Sequence, residues 1–211
     1  MGDDIIVTRF LNNPVPSNCF VVHYKGAETC LIVDPADNNP KELINYLNNE
    51  RLTPDFIILT HEHFDHISGV NLFKKTYSCN VIATSDCSCA IQNSKKNLSI
   101  FRDNVGFICA PADIELKQKH FLIPWGSKTL NFIKTPGHSQ GSLCFQIDDI
   151  LFAGDTLIKD HKTVVKIVGG NKQQLITSLN EIFNTFDENT LIFPGHGESF
   201  RLKDISIKSL I

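Results

Sequence analysis

The sequence lacks several features that would assign it to common functional classes. It has no run of about eighteen apolar residues, so no membrane span is predicted. No block of lysine or arginine exceeds two residues, and 20 basic against 23 acidic residues give a formal charge of −3. A nucleic-acid partner therefore gains no electrostatic support. Residues 1–10 start acidic and lack the basic start and apolar centre of a signal peptide, so we expect a cytoplasmic protein with neither a nucleic-acid nor a membrane partner.

The seven cysteines do not form the cluster that a structural zinc site needs. They are scattered singly, apart from Cys87-Ser88-Cys89, and their number is odd. A cytoplasmic compartment keeps thiols reduced, so we interpret them as free thiols that are buried or partly buried. Metal or redox use of Cys87 and Cys89 is the alternative, although two cysteines without two further ligands are a weak signal.

The composition is that of an ordinary globular protein. Of the 211 residues, 42% are hydrophobic and 20% are charged, which excludes a disordered or fibrous chain. No repeat, low-complexity tract or long linker interrupts the sequence. We therefore predict a single domain over residues 1–211.

Runs of β-branched and aromatic residues between turn residues predict nine strands. They lie at residues 5–10, 18–24, 29–34, 55–60, 80–84, 129–134, 142–147, 150–153 and 190–193. Apolar spacing and cap-type residues predict helices at 40–50, 67–76 and 171–186. The segment 85–125 fits no clear pattern, and we interpret it either as a loop beside the functional site or as a surface connector.

Seven side chains of metal-binding type follow four of the predicted strands. They are His61, His63, Asp65, His66, His138, Asp155 and His196. The first four lie within six residues directly after the apolar run 56–59, and each of the other three follows a glycine. Buried strands are rigid, and the loops that leave their ends can direct these side chains at one centre. The sequence therefore predicts a metal centre at the ends of buried strands.

The chemical types of these side chains indicate the metal and the number of ions. Imidazole with carboxylate suits zinc first, with iron and manganese as alternatives, and no thiolate cluster is nearby to form a closed structural site. Seven ligands exceed what one ion takes, so we predict two divalent ions that share a carboxylate and a bridging hydroxide. Water bound in this way has a pKa of about 7, so at neutral pH it provides a hydroxide nucleophile.

The order of the seven residues resembles the metallo-β-lactamase superfamily, and the resemblance extends from about residue 18 to residue 197. The segments 97–99, 135–142 and 154–157 resemble glyoxalase II-type proteins, in particular their short single-domain bacterial relatives. The implied fold is α+β, a four-layer αββα sandwich with two mixed β-sheets flanked by helices.

The resemblance also implies a role for each residue. His61, His63 and His138 would hold the first ion, Asp65, His66 and His196 the second, and Asp155 would bridge them. Asp65 and Asp155 are thus the candidate catalytic carboxylates. The implied activity is hydrolysis of a thioester or related small ester by a single metallo-β-lactamase-fold catalytic domain. Full-length glyoxalase II proteins bind glutathione through a helical C-terminal domain that this sequence does not include, so we expect little preference for glutathione carriers.

Other members of the superfamily provide the alternatives. A mononuclear iron sulfur dioxygenase, acting on a persulfide, keeps the same motif but uses only the first-site residues and Asp155. Lactonases and phosphodiesterases are further alternatives, and a non-catalytic binding module is disfavoured because all seven ligand positions are filled. The sequence leaves the acyl group, the thiol carrier and the oligomeric state open.

Neighbouring residues are candidates for supporting roles. Asp34 resembles an aspartate that hydrogen-bonds a ligand histidine beneath the metals, with a simple turn residue as the alternative. Thr60 and Ser139 are weaker candidates of the same kind. Glu62 is interpreted either as an acceptor behind the ligands or as a solvent-exposed residue. Of the other histidines, His161 can reach the site from the loop after Asp155, whereas His23 and His120 are given no catalytic role.

Overall fold

Two mixed β-sheets form the centre of the fold in the computed structural model, which describes residues 4–211. Positions 1–3, which belong to the predicted domain, lie outside the described residues. The first sheet contains, in spatial order, β1 (Ile5–Leu11), β2 (Asn18–Tyr24), β3 (Thr29–Val33), β4 (Thr53–Ile58), β5 (Asn80–Thr84) and β6 (Ile114–Leu116). The second contains β12 (Phe200–Arg201), β11 (Leu191–Pro194), β10 (Ile150–Gly154), β9 (Leu143–Ile147), β8 (Lys128–Lys134) and β7 (His120–Trp125).

Helices cover the outer face of each sheet. Within residues 4–211 the α-helices are α1 (Lys41–Glu50), α2 (Phe64–Ile67), α3 (Val70–Tyr77), α4 (Ser85–Ile91), α5 (Ile100–Asp103), α6 (Lys172–Thr185) and α7 (Ile207–Leu210). Helices α1 and α3 pack on the first sheet, and α6 packs on the second. The predicted four-layer αββα sandwich is therefore confirmed. None of these helices is both long and apolar enough to cross a membrane.

Three apolar clusters hold the four layers together, and β2 shows how the sequence encodes two of them. Phe20 and Val22 face the cluster between the sheets, whereas Cys19 and Val21 face the helices on the outside. A strand covered on both faces reads as a continuous apolar run because successive side chains point in opposite directions. The third cluster lies between the second sheet and α6.

The strands that precede the predicted ligands end at one edge of the sandwich. In the second sheet, β8 is antiparallel to β9, β9 is antiparallel to β10, and β10 is parallel to β11. β8, β10 and β11 therefore run in the same direction, and their final residues lead into His138, Asp155 and His196. The two sheets are joined at this edge, where Leu143 N donates to Thr60 O over 2.8 Å and Asn18 N donates to Gly195 O over 2.7 Å.

Each of the nine predicted strands is present, with ends within two residues of those expected. The predicted helix 67–76 is instead two helices, α2 and α3. The chain bends at Gly69, whose N–H donates to Pro35 O over 2.9 Å and whose Cα lies so close to the 35–37 backbone that a side chain would overlap it. The segment 85–125 contains α4, α5, β6 and β7, which are too short, or in β7 too exposed, to leave a strong apolar period.

Phe152→Ala tests the aromatic layer between the sheets. The ring is 0% exposed, lies 4.6 Å from the ring centroid of Phe145, and is 5.5 Å from that of Phe20 in the other sheet. We expect the cavity to lower the free energy of unfolding by about 3–5 kcal/mol, measured by urea denaturation. Leu122→Ala, at a 64% exposed position on β7, is the control and should cost less than about 0.5 kcal/mol. Equal losses would contradict the central role of this layer.

Candidate metal centre

The structure brings the seven predicted ligands together as two adjacent groups of three residues with Asp155 between them. Ligand atoms of His61, His63 and His138 lie within 4.8 Å of one another, and the same holds for Asp65, His66 and His196. We refer to these as the first and second groups. Asp155 lies between them: its Oδ2 is 3.5 Å from His138 Nε2 and 3.6 Å from His196 Nε2.

In the first group, the orientations of the His61 and His138 imidazoles are fixed by hydrogen bonds on their far sides. His138 Nδ1 donates to the carbonyl of Val164 over 2.8 Å, which leaves its Nε2 directed at His63 Nδ1, 2.9 Å away. His61 Nδ1 lies 3.1 Å from Thr60 Oγ1, so its Nε2 faces inward. Ring nitrogens whose partners are held in this way have a defined tautomer, as metal-ligating histidines require.

The second group is held from behind by Asp34. His66 Nδ1 donates to Asp34 Oδ2 over 3.0 Å, and His66 Nε2 lies 3.3 Å from His196 Nε2. Asp65 Oδ2 is 3.4 Å from the same His196 nitrogen. The predicted hydrogen bond between Asp34 and a histidine of the cluster is therefore confirmed.

Asp34 could itself be mistaken for a metal ligand, because one of its oxygens lies within 4.8 Å of nitrogens of His61 and His66. Both oxygens are already used. Thr60 donates its backbone N–H to Oδ1 over 2.7 Å and its hydroxyl to Oδ2 over 2.5 Å. We therefore regard Asp34 as a hydrogen-bond acceptor that orients His66.

Two glycines allow the loops to come this close. A Cβ at Gly195 would overlap Asp155 Oδ1 and crowd the ring of His66. A Cβ at Gly154, where φ is +48°, would overlap the side chain of Thr60. Both positions therefore require glycine for contact, and Gly154 requires it also for its backbone conformation.

The seven residues are of the chemical types that hold divalent metal ions. Three buried polar atoms among them have no hydrogen-bond partner in the described part of the chain: His61 Nε2, His63 Nε2 and Asp155 Oδ1. Buried polar atoms without a partner are rare in native proteins and call for an explanation such as an ion. Imidazole nitrogens with carboxylate oxygens are the donor set that zinc, iron and manganese accept.

The pKa values of the metal-free protein differ between the two groups. Burial lowers the pKa of His61 well below its ordinary value, and that of His63 to about 3, with repulsion from nearby imidazoles adding to the effect. For His66, burial lowers the pKa, but the carboxylates of Asp65 and Asp155 outweigh it and raise the pKa to about 10. Burial alone would raise the pKa of Asp65, but the nearby imidazoles of His66 and His196 hold that pKa below the usual range of an aspartate.

A cavity of about 260 Å³ opens beside the second group. Its lining includes His196, Lys159 and His161. The structure therefore places His161 at the site, as the sequence allowed, whereas His23 bonds Tyr46 and His120 pairs with Glu181. The seven cysteines are free, and six of them are buried as predicted, whereas Cys89 is exposed.

No sequence pattern indicated a role for Asn18, although its side chain contacts the turn that carries His196. Its side-chain amide donates to the carbonyls of Pro194 and Gly197 over 2.9 and 2.8 Å, and so holds the turn that carries His196. The available signal was a polar residue at the start of an otherwise apolar strand. That signal does not reveal the partner, which lies 176 residues away.

Comparison with known proteins agrees with this geometry. The family model of the metallo-beta-lactamase superfamily matches residues 12–196. The chain belongs to this superfamily. Its members are typically metal-dependent hydrolases, and the His and Asp groups described above are candidates for the metal site.

Individual relatives lie at moderate sequence distance. A probable metallo-hydrolase of Bacillus subtilis, YqgX, is 30% identical and covers 87% of this chain and 86% of its own length. An uncharacterized protein of Mycobacterium leprae is 29% identical, with 92% and 93% covered. A hydroxyacylglutathione hydrolase of Psychromonas ingrahamii is 26% identical, with 93% of this chain and 66% of that protein covered.

Solved structures with the same fold include BLEG-1, a B3 metallo-beta-lactamase. It is 29% identical and superposes with a TM-score of 0.86, covering 94% of this chain and 95% of its own. ETHE1 from Myxococcus xanthus is 19% identical, with a TM-score of 0.75 and 94% and 80% covered. At that identity the likeness shows the fold alone.

Proton release should accompany metal binding to the second group. His66, whose pKa is raised to about 10, carries a proton on both nitrogens at neutral pH, and Nε2 must lose its proton before it binds an ion. Affinity of this group should therefore rise with pH up to about 10, by up to tenfold per unit for one proton. Titration calorimetry of the metal-free protein in two buffers of different ionisation enthalpy measures the released protons.

His138→Ala is the control for this measurement, because it damages the first group and leaves His66 intact. We expect the proton release to persist in that variant. Metal binding to wild type without proton release at pH 7 would contradict the protonation state assigned to His66.

Proposed function

We propose that this chain is a dinuclear metal-dependent hydrolase of the glyoxalase II type, which cleaves a thioester or related small ester. The observation that carries the proposal is the position of Asp155, whose carboxylate faces both groups of ligand atoms. A carboxylate in that position suits a bridge between two ions. The similarity to a hydroxyacylglutathione hydrolase supports the subtype. We further propose that residues 1–211 act as a single catalytic domain.

The residues of the chain would prepare the site as follows. His61, His63 and His138 would hold one ion, and Asp65, His66 and His196 the other, with zinc as the first expectation and iron or manganese as alternatives. Bound divalent ions would supply a Lewis acid for the scissile carbonyl and acidify a water molecule. The lowered pKa of Asp65 keeps its carboxylate ionised at neutral pH, ready to bind a cation.

The cavity beside His196 indicates where a small substrate would enter. Ile158 contributes an apolar wall, while Lys159 and His161 can donate hydrogen bonds to a carbonyl or a carrier group. A thioester is the substrate class that we favour. Its leaving group is a thiolate, and because the corresponding thiol has a pKa of about 8.5, the thiolate needs no strong acid to depart. An amine leaving group would need a proton.

Elemental analysis of protein purified without added metal, paired with a thioester-hydrolysis assay, tests the proposal. Two ions per chain with turnover of a thioester are expected. One iron per chain, with oxygen consumption on a persulfide, would contradict the proposal and favour the mononuclear dioxygenase.

Asp155→Ala should lose more metal than any single histidine variant, because the carboxylate faces both groups. We expect less than one tightly bound ion per chain and a fall in turnover of more than about 100-fold. Asp149→Ala, at an exposed turn before β10, is the matched control and should keep both metal and activity. Retention of two tightly bound ions by Asp155→Ala would contradict the bridging role.

The carrier half of the substrate should contribute little to catalysis. Binding energy from remote parts of a substrate lowers the barrier only where the protein makes contacts. In the cavity beside His196, Lys159 is the one lysine of the lining, and Glu198 pairs with Arg9 at 2.7 Å. We expect kcat/KM for S-lactoylglutathione to exceed that for a lactoyl ester of a short thiol by less than about 100-fold, or 2.7 kcal/mol. A larger ratio would reveal a carrier pocket.

A further inference from the structure

Glu62 lies between two residues of the first group, His61 and His63, and is buried. Its residue surface is 4% exposed, so the alternative of a solvent-exposed residue is wrong. Within residues 4–211, no lysine or arginine forms an ion pair with it. A carboxylate buried without a cationic side chain is costly unless it is well hydrogen-bonded. Its partners therefore indicate what it does.

The partner of Glu62 is the turn that carries His138. Ser139 Oγ donates to Glu62 Oε2 over 2.8 Å. Since that hydroxyl proton is used, Ser142 Oγ must donate to Ser139 Oγ, 2.9 Å away, and Ser142 Oγ in turn accepts from Ser139 N over 3.2 Å. These bonds form one directed chain that ends on the carboxylate.

The same turn fits closely around the carboxylate. A Cβ at Gly141 would overlap Glu62 Oε2, and Thr84 Oγ1 donates to the Gly141 carbonyl over 2.9 Å. Glu62→Gln would remove the charge that strengthens the hydrogen bond from Ser139, and it would replace one acceptor oxygen with an NH₂ donor.

This link ties the turn that carries His138 to the loop position between His61 and His63, and Asp65 and His66 follow in that loop three and four residues after Glu62. His61 and His63 flank Glu62, and His138 precedes Ser139, whereas Asp65, His66 and His196 lie outside the bonded turn. We propose that Glu62 is a positioning residue that sets His138 against His61 and His63, and so controls metal affinity at the first group selectively. The proposal rests on the metal-binding part of the proposed function but not on its substrate.

The test is competition with a chelator for Zn²⁺ and Co²⁺ in wild type, Glu62→Gln and Ser139→Ala. Removing a hydrogen-bond partner behind a ligand typically costs about 10- to 100-fold in metal affinity. We expect that loss for the first-group ion in both variants, with a changed Co²⁺ absorption spectrum, and a change of less than about twofold for the second-group ion. His138→Ala and His196→Ala identify which ion belongs to which group.

Glu115→Gln is the matched control. Glu115 accepts from Ser88 over 2.7 Å, a carboxyl–serine bond of the same kind that joins no ligand segments, so metal affinity should not change. Equal weakening of both ions would overturn the proposal, as would an effect of Glu62→Gln that Ser139→Ala does not share, since charge alone would then explain it. A lower unfolding temperature without selective metal loss would also overturn it.

This experiment distinguishes a failure of the positioning role of Glu62 from a failure of the proposed hydrolase function. Absence of thioester hydrolysis would count against the function alone, because the readout here is metal release. If wild type binds one ion, the two-ion function fails. The positioning role still holds provided that His138→Ala abolishes that binding and Glu62→Gln weakens it.

Discussion

The buried carboxylate of Asp34 is the interaction on which the site depends. It accepts from the backbone and hydroxyl of Thr60 and from His66, and thereby joins the end of β3 to the loop that carries four of the seven ligand candidates. Asp34 and His66 are each at most 1% exposed. Loss of either side chain would therefore leave the polar atom of the other buried without that hydrogen-bond partner and without access to water. The bond also fixes the tautomer of His66 and directs its Nε2 at the second group.

The site is equally dependent on how the sheets pack, because its two halves come from different sheets. The loop after β4 belongs to the first sheet, whereas His138, Asp155 and His196 follow strands of the second. The separation of these halves is set by the aromatic layer, where Phe20 of one sheet meets Phe152 and Phe193 of the other at 5.5 and 5.2 Å. Close-packed interiors transmit small changes, so core packing and ligand geometry are linked here.

The two groups differ in how the protein prepares them. The first is buried, with the pKa values of His61 and His63 lowered by burial, and its segments are tied by Glu62 and Ser139. The second borders the cavity, and carboxylates hold a proton on His66 in the metal-free chain. Burial and charge therefore prepare the two groups differently: burial preorganises the first, whereas the second would release protons on binding metal.

The sequence by itself determined the residue types and their placement after strands, because apolar runs and the glycines before His138, Asp155 and His196 are local features. The αββα fold was implied by the resemblance to the metallo-β-lactamase superfamily, and continuous apolar strands such as β2 agree with burial on both faces of the first sheet. Only the tertiary structure decided that Glu62 is buried on Ser139 rather than exposed, and that Asn18 holds the His196 turn. Those facts depend on side chains 77 and 176 residues apart in sequence, and no local pattern encodes such contacts.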